Sequence, residues 1–570
     1  MDSFPILSLI AYVPAIGALA ILLAPKASQD ASRKIAVGAS VVSFLLSLVM
    51  LFKLKHNADF QFTEHHVWLK DLGISYFLGV DGISALLIVL TTLLTLIAII
   101  WSYDTINVRR REYYIAMLLL ETGMLGVFMA LDLFIFYIFW ELMLIPMALL
   151  IGIWGSNNRV YAAIKFFIYT LFGSLLMLVG IVATYQSYFQ QTGVRTLNIL
   201  ELQSGHYSTN FQFWVFAAFL VAFAVKVPMF PFHTWLPDAH VQAPTAASVI
   251  LASVMLKMGG YGILRFNLPL FPDAAKTWTP VIVGLSVVAI IYGALVALVQ
   301  PDMKKLIAYS SVSHMGFVTL GLFVANMQGM DGAMMVMLAH GFNTGGLFLC
   351  VGVIYERAHT REISAFGGLA SRMPKWAIYF CIFMFASIGL PGMSGFIGEF
   401  LVTLGTWHYN KWAAALTFSV VIFAAWYMMW MFQRVVFGRA SGQAPDPADG
   451  ALEPYEREQL AAMGGGHGHG DHHHDDHGLA HGGLAPVSGG AHDDHGSAHG
   501  HGDADSDSYA THPGQLDSSH WPDLTRKETL TLLPLAALTI IFGVYPKPLL
   551  QIVEPSFQAI LDHAVRVIGN

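Results

Sequence analysis

Apolar runs long enough to cross a lipid bilayer follow one another along almost the whole 570-residue chain, from ILSLIAYVPAIGALAILLA near its start to LTLLPLAALTIIFGVY near its end. A helix needs about 20 residues to span a hydrocarbon core of roughly 30 Å. Hydrophobic residues make up 55% of the chain and charged residues only 12%, where soluble domains carry about a quarter charged. The deficit excludes a soluble globular domain and a nucleic-acid binder. A membrane barrel would show short segments of alternating polarity instead. The expected class is an all-α polytopic membrane protein.

Fourteen spans are predicted, at roughly 3–24, 34–54, 77–102, 113–131, 132–152, 160–186, 211–229, 244–266, 278–299, 304–324, 331–355, 375–406, 411–437 and 529–552. An even number leaves both termini on one side. With the N-terminus outside, the inward loops hold the larger share of Lys and Arg, including the run Arg109-Arg110-Arg111 and Arg159, Lys304, Lys305, Arg357, Arg361, Arg372 and Lys375. The positive-inside rule therefore predicts both termini outside. The first segment lacks a basic region and carries Asp2, so it is expected to be a retained helix and not a removed signal. Cys350 and Cys381 lie in separate apolar runs, which leaves no disulfide framework and no thiolate set for an iron–sulfur cluster.

Residues 440–528 differ in kind. Eleven histidines fall between His467 and His501 among Gly, Asp, Ser and Ala, a composition that cannot build a core. This stretch is expected to be a solvated cytoplasmic loop. Imidazoles beside carboxylates suit borderline metals, but no metal site is assigned there. The chain then divides into a three-helix segment (1–112), two five-helix units (113–266 and 278–438), the His-rich loop, and a final helix with a tail (529–570).

Two spans are interrupted. VAFAVKVPMFPFHTWLPDAH carries Pro228, Pro231 and Pro237; FASIGLPGMSGFIGEF carries Pro391 between Gly389 and Gly392. Pro228 lies 115 residues into the first unit and Pro391 lies 113 into the second, in the fourth helix of each. Matched broken helices mark inverted-repeat transporters, and an odd number of spans per unit inverts the second copy. Irregular backbone at membrane depth persists only where it is enclosed by protein or lines a hydrated cavity.

Charge at the centre of a membrane helix costs roughly 2.5–3.5 kcal/mol on insertion scales, so each instance asks for a reason. Glu141 is mid-span in FIFYIFWELMLIPMAL, Lys226 stands two residues before Pro228, Lys257 is mid-span in ASVMLKMGGYGILR, and Glu399 follows the second break. His314 and His340 are mid-span in consecutive helices. Lys165 and Arg265 lie near helix ends and are expected to reach the interface; Glu121 receives no role. A Glu141–Lys226 pair at about 4 Å and an effective dielectric near 20 is worth about 4 kcal/mol. Moving one charge against about 170 mV costs about the same. Making and breaking such a pair is therefore matched to loading and releasing a transported proton.

FWELMLIPM around Glu141, the run AFAVKVPMFPFHTWLPDAHVQAPTAASVILASVMLKMGGYGILR (222–265) and LPGMSGFIGE ending at Glu399 resemble the antiporter-like membrane subunits of respiratory complex I, the NADH–quinone oxidoreductase. Glutamate at 399, where sister subunits typically carry lysine, points to the M branch, relatives of the mitochondrial ND-four subunits. The resemblance covers nearly the whole chain outside 440–528. It implies two inverted five-helix units with a hydrophilic axis at mid-membrane. Glu141 and Lys226 would be an ion pair, Lys257, His314 and His340 a central relay, and Glu399 the terminal site. It further implies proton translocation driven by NADH oxidation and quinone reduction in other subunits, with no cofactor here and flavin and iron–sulfur clusters in partners. The expected partners are L-like and N-like antiporter subunits and the lipid bilayer. Two rival expectations are a subunit of an Mrp-type cation/proton antiporter or membrane-bound hydrogenase, and a haem protein using His314 and His340 as axial ligands.

Overall fold

A computed structural model describes residues 4–25, 29–438 and 521–568. The eleven histidines between His467 and His501 lie outside the described residues.

The described chain opens with α1 (Ile6–Leu23) and α2 (Gln29–Lys53), then β1 (Gln61–Leu69) and β2 (Ile74–Val80), then α3 (Gly82–Thr105). The first five-helix unit follows. It contains α4 (Arg110–Met129), α5 (Leu133–Leu142), α6 (Leu144–Trp154), α7 (Arg159–Thr192), α8 (Thr209–Lys226), the short α9 (Trp235–Gln242) and α10 (Thr245–Leu270). The second unit contains α11 (Pro272–Leu298), α12 (Met303–Phe323), α13 (Met327–Ala358), α14 (Pro374–Ile388), α15 (Ser394–Tyr409) and α16 (Lys411–Phe437). The chain ends with α17 (Arg526–Val544) and α18 (Lys547–Ile568). Among the described residues, thirteen helices are long and apolar enough to cross a membrane. The broken pair α14–α15 supplies the fourteenth span, so the number of spans agrees with the sequence.

Short polar side chains start many spans. Asp81, Asp132, Asp302, Asn326 and Asn410 each accept hydrogen bonds from the first free N–H groups of the helix that follows. Those groups have no intrahelical partner and no water at membrane depth, so the cap is a requirement. Burial sorts the helices. The most apolar windows of α10 and α13 are completely enclosed by protein, whereas α2 and α7 turn most of theirs outward to lipid. The helices carrying Lys257 and His340 thus form the centre.

The chain is the expected helical polytopic membrane protein, with one short antiparallel hairpin, β1–β2, between α2 and α3. Its turn closes on Gly73 at φ +67°, packed so tightly that a Cβ would sit 1.9 Å from the Arg195 carbonyl oxygen. The segment after the last span is not a tail but α18, whose Leu549, Val553 and Phe557 are buried against the bundle. The His-rich loop does not extend to 528, because Asp523 accepts backbone hydrogen bonds from Lys375 and Trp376 and α17 begins at Arg526. Lys304, counted among the basic loop residues, is buried at the start of α12.

Candidate functional site

Both helix breaks bring backbone irregularity to the middle of the bundle. In the first, α8 ends at Lys226 and the chain runs through residues 227–234 before α9. In the second, α14 ends at Ile388 and α15 starts at Ser394. Gly389 stands at φ +80°, and a Cβ there would meet Glu399 Oε2 at 2.8 Å. Between the breaks, α10 is widened by π-helical turns at Leu251–Met255 and Ile263–Asn267, on either side of Lys257. Single π-turns inside α-helices occur mostly where function displaces the regular ladder. The glycines of KMGGYG let α10 approach its neighbours closely: a Cβ on Gly259 would meet the Phe223 carbonyl oxygen at 2.5 Å.

The structure brings four of the six expected residues into one row. Lys257 Nζ donates to the Ala252 carbonyl oxygen at 2.6 Å and lies 2.7 Å from His340 Nδ1. The His340 ring faces His314 edge-on, centroids 5.8 Å apart. His314 Nδ1 is 2.9 Å from Glu399 Oε1, and its Nε2 is 3.2 Å from Ser387 Oγ. His314, His340 and Glu399 border a small cavity closed by Val336, Ala339 and Gly395. An ammonium has only donors, so while Lys257 is charged a neutral His340 accepts at Nδ1 and carries its proton on Nε2. His340 Nε2 is buried without a partner. The row therefore alternates groups that hold a proton with groups that receive one, from α10 through α13 and α12 to α15.

The other two residues lie at the first break, and their geometry differs from expectation. Glu141 and Lys226 make no ion pair within 4.0 Å among the described residues. Lys226 is buried and its Nζ has no hydrogen-bond partner. It rests instead over the rings of Trp140 at 5.4 Å and Phe166 at 5.5 Å. Glu141, just before the interruption of α5 and α6 at Met143, acts on it only through space. Aromatic faces attract an ammonium by about 0.5–2 kcal/mol, less than a close carboxylate would, so Lys226 occupies a weakly held position.

The charges assigned to helix ends are paired. Arg265 Nη2 bonds Asp81 Oδ1 at 2.7 Å with both groups buried, and it also reaches Ser84 and Tyr261. This pair pins α10 to the N-terminus of α3. Lys165 bonds Asp238 Oδ2 at 2.7 Å, tying α7 to α9 beyond the break. Glu121 is fully enclosed, with Ser40 Oγ donating to Oε2 at 3.0 Å and Oε1 left without a partner. Sequence reasoning missed two residues. His233 and His240, both inside the quoted HTWLPDAH run, are buried with neither ring nitrogen hydrogen-bonded. Two histidines at membrane depth beside a proline-broken helix were the available signal.

Comparison with known proteins places the family and the fold. Residues 130–424 match the family model described as NADH:quinone oxidoreductase/Mrp antiporter, TM. The chain is 52% identical to NADH-quinone oxidoreductase subunit M of Rhodobacter capsulatus over 453 residues, covering 76% of this chain and 86% of the relative. It is 46% identical to NADH-ubiquinone oxidoreductase chain 4 of Chondrus crispus over 434 residues, covering 76% of this chain and 87% of the relative. Among solved structures, respiratory complex I from Thermus thermophilus with bound NADH superposes with a TM-score of 0.77 at 28% identity, over 98% of this chain and 99% of that one. The Mrp complex from Dietzia sp. DQ12-45-1b superposes at 0.75 with 20% identity over 99% of each chain, a likeness of fold.

Proposed function

This chain belongs to the NADH:quinone oxidoreductase/Mrp antiporter transmembrane family, on the branch of the M subunits of NADH–quinone oxidoreductase, and we propose that it moves protons across the membrane along the polar row at its centre. Lys257, His340, His314 and Glu399 form the part of the path held by hydrogen bonds. Lys226 and Glu141 form a loading site whose ammonium is free to approach or leave the carboxylate. NADH oxidation and quinone reduction take place in other subunits, which hold the flavin and iron–sulfur clusters, and the energy reaches this chain through its neighbours. The L-like and N-like subunits are those neighbours, in a bacterial inner membrane with both termini periplasmic. The chain is thus a translocase subunit without a redox centre of its own.

The observation that carries this reading is the contact series Lys257–His340, His340–His314 and His314–Glu399 within one enclosed layer. Three of the four ring nitrogens of His314 and His340 are engaged in that series or with Ser387, which disfavours a haem-ligand role. An Mrp-type antiporter role has the weaker support, 20% identity against 52% for the M subunit. The test is Lys257→Met and Glu399→Gln in the intact complex in inside-out vesicles. NADH-driven proton uptake should fall by about tenfold or more in each. Uptake at the parental level in either variant would remove that residue from the path.

A further inference from the structure

The last helix crosses the ends of several spans on the face that carries the hairpin. At one end of α18 the Ile552 carbonyl oxygen lies so close to Gly82, the first residue of α3, that a Cβ there would meet it at 1.9 Å. Towards the other end, His563 Nε2 lies 3.1 Å from the Pro269 carbonyl oxygen in the last turn of α10. Between them Leu549, Val553 and Phe557 are buried against the bundle. Beyond Phe557 the packing opens. Ile560 and Leu561 are only partly buried, and they roof a groove of about 440 Å³. Ala275 and Pro280 of α11, Phe323 of α12 and Met330 of α13 form its floor and walls. That volume lies within the roughly 300–1,000 Å³ of ligand-binding pockets, and a wall so apolar offers water few partners.

Two long polar side chains border the groove, Lys276 and Tyr409. Lys276 is exposed near the start of α11. Among the described residues no carboxylate stands within 4.0 Å of its Nζ. Asp273, one turn earlier, is held by Gln212 Nε2 at 2.9 Å, and Asp562, beside Leu561, accepts from Gln558 at 2.8 Å. Trp407, Tyr409 and Trp412 are all exposed at this end of the bundle. Exposed tryptophan and tyrosine mark the headgroup level of a bilayer. Further along α11, Val281 and Val288 are exposed where the span faces lipid. The groove is thus apolar, stands at headgroup depth, continues a lipid-facing helix and has an unpaired cation at its mouth.

We propose that this groove holds one anionic phospholipid, with an acyl chain seated between α11 and α18 and the phosphate against Lys276. Each end of such a molecule meets its complement: the chain replaces water along the apolar walls, and the phosphate supplies the counter-charge that no side chain gives Lys276. The lipid fills the seam that α18 leaves open beyond Phe557, so it belongs to the packing of this face and not to the exchanging lipid around the bundle. The inference is independent of the proton-path reading.

The test is photolabelling of the intact complex in phosphatidylcholine vesicles carrying a small fraction of phosphatidylglycerol with a diazirine on one acyl chain. Label should be recovered in peptides covering 268–280 and 556–563 of this chain. The same diazirine on phosphatidylcholine, at equal mole fraction, should label them about fivefold less, the preference one lysine gives an anionic headgroup. Lys276→Glu changes an exposed side chain and leaves the walls intact; it should lower labelling by phosphatidylglycerol about fivefold or more. Leu561→Trp fills the groove and should abolish labelling by both lipids. No label on either peptide, as a neighbouring subunit seated in the groove would give, overturns the proposal. So does equal labelling by the two lipids, or parental labelling in Lys276→Glu or in Leu561→Trp. If Leu561→Trp does not assemble, Lys276→Glu and the comparison of the two lipids decide the matter.

Discussion

Buried charges in this bundle divide by what faces them. Arg265 is ion-paired with the equally buried Asp81, as the half-buried Lys165 is with Asp238. Lys226, Lys257 and Lys304 face aromatic rings, carbonyl oxygens or a histidine. A paired charge resists losing its proton; an amine held by neutral groups can exist in either form, as a proton carrier must. Two expectations follow at this scale. Asp81→Asn leaves Arg265 buried without its counter-charge, a loss of about 3–5 kcal/mol. It should lower the yield and thermal stability of the assembled complex while uptake per assembled complex stays parental, and reduced uptake per complex would place the pair in the path instead. Glu141→Gln removes the carboxylate that acts on Lys226, so uptake should fall by about tenfold or more; normal uptake would show that Lys226 needs no carboxylate to load. The sequence made these groups visible as charges in apolar runs. It could not assign partners, because Asp81 and Arg265 are 184 residues apart and only the packing of α3 on α10 brings them together.

The breaks act as elements. Gly389 and Gly392 both have positive φ, but only at Gly389 would a Cβ meet Glu399 Oε2, at 2.8 Å, while nothing lies within 4 Å of one on Gly392. Backbone strain of about 1–2 kcal/mol is common to both alanine variants. Displacement of the terminal carboxylate from His314 is particular to one. Gly389→Ala should therefore lose proton uptake, and Gly392→Ala should lose stability alone, both read in the same vesicles. Equal loss of uptake in the two variants would trace the defect to strain. The breaks were legible because proline and glycine punctuate an otherwise apolar run. The hairpin β1–β2 was not, since a short alternating segment carries little signal beside long spans, and α18 was hidden by its amphipathic pattern, half of which reads as a polar tail.

For the molecule as a whole, the distribution of charge sets direction. Arg33 and Lys527 stack on Tyr103 at one face, and that face also carries the Arg109-Arg110-Arg111 run, Arg159, Arg357 and a cavity with Lys304 and Arg361. The opposite face holds the hairpin, Arg195 against Phe189, and α18 with His563 at the Pro269 carbonyl oxygen. Anionic lipid and the insertion machinery retain basic loops on the cytoplasmic side. On the proposed orientation the first face is the cytoplasmic one. Asn157 is exposed on the first face and Ser204 on the second. Asn157→Cys should react with a membrane-impermeant maleimide in inside-out vesicles only, and Ser204→Cys in right-side-out vesicles only. The parent protein, with Cys350 buried and Cys381 partly so, sets the background. The reverse pattern would invert the molecule and put both termini on the cytoplasmic side.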